Sequence, residues 1–151
     1  MSQYALTTES LTPRRRPPVA ARRAGHGLAA LVQLAIVYLV NGWPGWRSVT
    51  FLAPDAAQVV WLFNLAVAVG VAFNLAYLVH DPTWLTALGD AVTAGLGLAV
   101  FVRTWRVFPF RFADTTIDWA LFVRFGLGLA IVGAAVGLFA RCIALLTEAL
   151  R

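Results

Sequence analysis

Lysine is absent from this chain, and cysteine, methionine and histidine are scarce: one Cys, one Met and two His among 151 residues. A single cysteine, Cys142, excludes an internal disulfide framework and a thiolate metal site. A paired-imidazole metal or haem site needs both rings to converge on one ion, and neither His26 nor His80 lies deep in an apolar run. We therefore expect no metal and no cofactor. No nucleophile–base pair, phosphate-cradling glycine loop or zinc-ligand spacing is present either, so we expect a protein that is not an enzyme. Charge is sparse as well: 13% of residues are charged and 60% hydrophobic, with a mean hydropathy of +0.76. That is too apolar for an ordinary soluble domain.

What is present is a succession of four apolar runs behind a basic tail. The spans expected are about 27–43, 58–79, 84–103 and 117–146, within a membrane domain of residues 25–151. Two runs of about 20 residues, Val59–Val79 and Trp84–Val102, flank the break His80-Asp81-Pro82-Thr83. At ~1.5 Å per residue each matches a ~30 Å hydrocarbon core, so they form a transmembrane hairpin. The fold class expected is an all-α, polytopic four-transmembrane-helix bundle with a disordered N-terminal tail over residues 1–24. The tail lacks the small-x-small cleavage pattern of a signal peptide, and its arginines precede two prolines rather than an apolar run. The first span is therefore expected to be retained.

The twelve arginines outnumber seven acidic residues, giving a net charge of +5. Because they flank the spans, they indicate anionic lipid headgroups rather than nucleic acid as partner. Arg14, Arg15, Arg16, Arg22 and Arg23 form a juxtamembrane cluster, next to Thr7, Thr8, Ser10 and Thr12, whose phosphorylation is a sharper reading of the tail. With the N-terminus inside, seven arginines (these five, Arg141 and Arg151) fall on the inner side. Five fall outside: Arg47, Arg103, Arg106, Arg111 and Arg124. Both termini are thus expected in the cytoplasm. Trp43, Trp46, Trp61, Trp105 and Trp119 gather at the outer interface and Trp84 alone at the inner one. Arginine to the exclusion of lysine, with much Ala, Val, Leu and Gly, suggests a GC-rich bacterial genome and so a bacterial plasma membrane.

Inside the spans, Asp90 is the one deeply placed carboxylate. An unpaired charge at that depth costs ~2.5–3.5 kcal/mol on insertion scales, so it is either a proton or cation site or a helix-joining group. Wrapping the third span at 100° per residue gathers Leu85, Leu88, Val92, Leu96 and Ala99 on a lipid face. Thr86, Ala87, Asp90, Ala94 and Gly97 gather on a packing face. Equal depth across the hairpin nominates Asn74 as the hydrogen-bond partner of Asp90, with Asn64 a further polar candidate. In the second span Asn64-Ala68-Ala72-Ala76 and Ala66-Gly70-Asn74 read as two packed stripes. In the fourth, Gly126-x3-Ala130-x3-Ala134 and Gly133-x3-Gly137 read as packing faces. Arg124 and Arg141, ~26 Å apart along one helix, can carry their charges to opposite headgroup layers. The connector residues Arg106, Phe108, Phe110, Arg111 and Phe112 alternate base and ring, as an interfacial segment or a recognition surface would.

The words Asn41-Gly-Trp-Pro-Gly-Trp46, His80-Asp-Pro-Thr-Trp84, Gly89-Asp90 and Val107-Phe-Pro-Phe110 resemble small four-span membrane proteins of actinobacteria with no assigned activity. The resemblance covers about residues 28–146 and implies the four-span fold, with no cofactor or site. The small multidrug transporters also have four spans and a membrane carboxylate, but theirs lies in the first span, and they lack the basic tail. The function expected is that of a non-enzymatic accessory or structural subunit acting through helix packing, on another membrane protein or on itself. The alternative is a small oligomeric proton-coupled transporter or channel using Asp90.

Overall fold

The computed structural model describes residues 18–80, 82–112 and 117–149. Arg14, Arg15, Arg16, the tail threonines and Ser10, Asp81 and Arg151 lie outside the described residues. Four long helices follow one another: α1 Val19–Asn41, α2 Ala56–Val79, α3 Thr83–Val107 and α4 Trp119–Ala149. Each is long and apolar enough to cross a membrane. The chain is an all-α, four-span integral membrane protein. The start of α1, the α2–α3 turn and the end of α4 lie on one side, here the terminal side. The α1–α2 and α3–α4 connections lie on the other, the loop side.

Helix limits differ most from expectation at two places, each with a local cause. The first helix starts at Val19, not near Gly27. Residues 19–24 are therefore helical rather than part of a disordered tail, because Ala20, Ala21, Arg22, Arg23 and Ala24 are mostly strong helix formers behind a proline. Arg22 and Arg23 consequently ride on the first turns of α1. The third helix continues past 103 to Val107 and stops at Phe108, which adopts φ 43, ψ 65. Pro109 disfavours the α region for the residue before it and so helps to end the helix. The fourth helix has 31 residues, ~46 Å at 1.5 Å per residue, more than a ~30 Å hydrocarbon core requires. It must tilt or protrude.

Packing is serial. Close backbone approaches join α1 to α2, α2 to α3 and α3 to α4; among the described residues none joins α1 to α4. The buried positions are small or slender: Ala30, Ala53 and Ala56 are at most 6% exposed, and Tyr77 and Thr104 are the large and the polar exceptions. That is the composition expected where no hydrophobic force separates protein from solvent and helices are held by close approach. Gly70 receives the Gln33 amide from α1, and Gly89 lies beneath Tyr77 and Phe73 from α2.

The hairpin register is the one expected. Tyr77 Oη donates to Leu85 O at 3.3 Å and approaches Thr86 O at 3.4 Å, so Val79 stands about level with Trp84. The small stripes fare differently. On α2, Gly70 is buried and Asn74 half-buried against α1, whereas Ala68 and Ala72 are exposed. The two-sided packing expected of that helix therefore uses Phe73 and Tyr77, not the alanine stripe, on its α3 side. On α3, Leu88, Val92 and Ala99 are exposed as expected, while Leu85 and Leu96 are half-buried.

Candidate functional site

Asp90 does not meet Asn74. Its Oδ2 accepts from Arg141 Nη1 of α4 at 2.9 Å, and the two side chains are 58% and 46% exposed. The reason is rotation, not depth. Successive helical residues turn by 100°, so Gly89 faces Phe73 and Tyr77 of α2 while Asp90, one residue on, has swung toward α4. Arg141 is thus an interhelical partner rather than a group reaching only for headgroups. The pair lies about seven residues in from the start of α3, ~10 Å along the axis.

Asn74 turns in the same way off Phe73, toward α1. Its Nδ2 donates to Gln33 Oε1 at 3.1 Å and to Gly70 O at 2.9 Å, and its Oδ1 stands 3.3 Å from His26 Nδ1. That oxygen can only accept, so the contact is a hydrogen bond in the tautomer with the proton on Nδ1. The His26 ring leans on Tyr77, with centroids 4.9 Å apart. A seam of His26, Gln33, Asn74 and Tyr77 thereby links α1, α2 and α3. His80 takes no part in it; its N–H caps α2 on Ala76 O. Nearer the loop side, Asn64 and Asn41 exchange two amide hydrogen bonds of 2.8 Å each, again between α2 and α1.

The loop side is more ordered than an interfacial connector. Leu52 and Phe110 form an antiparallel bridge, closed by Ala53 N to Pro109 O and Arg111 N to Phe51 O, both 2.8 Å. Alternate residues of an extended segment share one face, so Phe110 and Phe112 stack with centroids 6.1 Å apart, and Phe51 stacks on Phe112 at 6.3 Å. Phe108 meets Phe110 edge-on at 5.5 Å, and the Arg124 guanidinium lies over the Phe108 ring at 4.4 Å. The rings proposed as a recognition surface are thus largely occupied with one another, while Arg106 and Arg111 remain exposed. Arg103 crosses to Gln58 Oε1 at 2.6 Å.

Of the sequence candidates, then, Asp90, Asn74 and Asn64 fall into three separate clusters rather than one site. Gln33, His26 and Asn41 complete two of them. Their signal was a polar residue in or beside an apolar run, and what it lacked was a rotation angle. Comparison with family models, with curated proteins and with solved structures yields no match.

Proposed function

We propose that this protein is a non-enzymatic membrane subunit that acts through helix packing, with both termini on the cytoplasmic face of a bacterial plasma membrane. The observation that carries the reading is the use of the polar groups placed at membrane depth. Asp90 and Arg141 join α3 to α4, and the amides of Asn74, Gln33, Asn64 and Asn41 join α2 to α1. Such groups serve as helix glue where the alternative is an unsatisfied polar atom in hydrocarbon. The partner surface that fits is α4. A Cβ added at Gly126, Gly133 or Gly137 would meet no atom within 4 Å; Gly126 and Gly133 are exposed, whereas Ala130 and Ala134 are half-buried, so part of its small surface is left over once the four helices have packed. A second membrane protein or a second copy of this chain would lie there, with anionic lipid around the arginines.

A proton-coupled transporter is the competing reading: Asp90 is a carboxylate at membrane depth, and its side chain is 58% exposed rather than sealed between helices. Purified protein in proteoliposomes with an imposed pH gradient separates the two. The subunit reading expects no flux above empty vesicles and none that Asp90→Asn changes. A flux abolished by Asp90→Asn would overturn it. Gentle solubilisation and mass spectrometry of the intact assembly should show a second polypeptide or a homo-oligomer. Reporter fusions at residues 1 and 151 should both score as cytoplasmic, because five arginines lie before α1 or on its first turns and only Arg47 lies in the connection that follows it.

A further inference from the structure

The loop-side ends of α1, α2 and α3 line a partly open apolar cavity of about 590 Å³ beside the Leu52–Phe110 bridge. Val40, Trp46, Val59, Phe63, Val100 and Phe110 are among the residues that line it. The hydroxyl in that wall, Thr104 Oγ1, is already engaged with Val100 O at 2.8 Å. A second cavity of about 480 Å³ shares the segment Pro44, Gly45 and Trp46 with the first, and adds Asn41, Gly42 and Arg47. The Arg47 guanidinium carbon lies 5.4 Å from the Trp46 ring centroid, against the shared wall. No carboxylate lines either cavity.

We propose that the two cavities form one site for an anionic phospholipid, an acyl chain in the apolar part and the phosphate beside Arg47 in the polar part. The proposal rests on the membrane reading of the chain and not on its role as a subunit. Three observations select this occupant. The apolar volume lies within the ~300–1,000 Å³ of small-molecule sites, whereas a partner helix ~10 Å across is wider than the ~8 Å edge of a cube of that volume. An apolar compartment adjoining a polar one fits an amphiphile and has no use for a free anion. The sign of the charge is set by Arg47, on a side holding five arginines against Asp55 and Asp118 among the described residues. Guanidinium is the cation best matched to phosphate oxygens.

Native mass spectrometry of the full chain in a neutral detergent tests this, with phosphatidylglycerol and phosphatidylcholine of identical acyl chains titrated separately. One phosphatidylglycerol should bind per chain, about tenfold more tightly than phosphatidylcholine, as a charge-assisted contact implies. Arg47→Gln should bring the two lipids level, while Arg106→Gln, outside both cavities, should leave the preference intact. Val60→Trp should abolish binding of both lipids by filling the apolar part; if that variant is not monodisperse, Val49→Trp obstructs the same space from the loop. Equal binding of the two lipids, unsaturated uptake of many lipids, competition by inorganic phosphate alone, or full binding by the tryptophan variant would each overturn the proposal.

Discussion

At the scale of single residues, Gly89 is the position where the smallest change has the clearest consequence. A Cβ there would run into the Tyr77 hydroxyl and come within 2.6 Å of the Phe73 ring. Both rings are held, Tyr77 by its bonds into α3 and by His26, so neither can withdraw freely. Gly89→Ala should therefore destabilise the protein by about 1–3 kcal/mol, the usual cost of overpacking. Gly97→Ala, where nothing lies within 4 Å, should be neutral or slightly stabilising. SDS-induced unfolding in mixed micelles would read the difference, and equal effects at the two glycines would contradict the packing described. Asn74 offers a second test. Its partners are Gln33, Gly70 and His26, so Asn74→Ala should cost roughly 0.6 kcal/mol, typical of interhelical hydrogen bonds in membranes. Its effect should add to that of Asp90→Asn, because the two residues belong to different interfaces.

Helices show where sequence patterns inform and where they stop. Span number and the depth register of α2 against α3 follow from the apolar runs and the tight break at residues 80–83, since translation along a helix is simply counted. Rotation about the helix axis is not so easily counted. On α2, alanine, glycine and asparagine occur on several sides, so periodicity alone permits more than one packing face. The pairings of Asp90 with Arg141 and of Asn74 with Gln33 depended on that angle. The loop side was illegible for a different reason: Arg106-Val-Phe-Pro-Phe-Arg-Phe112 reads equally well as an interfacial belt, and only its pairing with residues 51–53 makes it a cap. That pairing is directly testable. Leu52 and Phe110 are the non-hydrogen-bonded pair of an antiparallel bridge, where Cα atoms approach to ~4.5 Å, within disulfide reach. Cysteines at positions 52 and 110, with Cys142→Ser, should crosslink readily under mild oxidation; a persistently free pair would mean the connections do not meet.

For the molecule as a whole, serial packing places few apolar contacts between the first and last helices and leaves much of α4 to lipid or a partner. The polar pairs therefore carry an unusual share of the specificity with which each helix recognises the next. This is clearest for α3 and α4, where an ion pair at membrane depth is the link. Removing one member leaves the other charge in a poorly hydrated place, and the expected cost is about 1–3 kcal/mol, between the exposed and fully buried limits. Removing both leaves no orphan. Whether ionisable groups in the spans join helices is read by a double-mutant cycle of Asp90→Asn and Arg141→Gln on unfolding free energy in a bilayer or mixed micelle. The result predicted is a double variant about as stable as either single one, with a coupling of roughly 1 kcal/mol or more; strictly additive losses would contradict it.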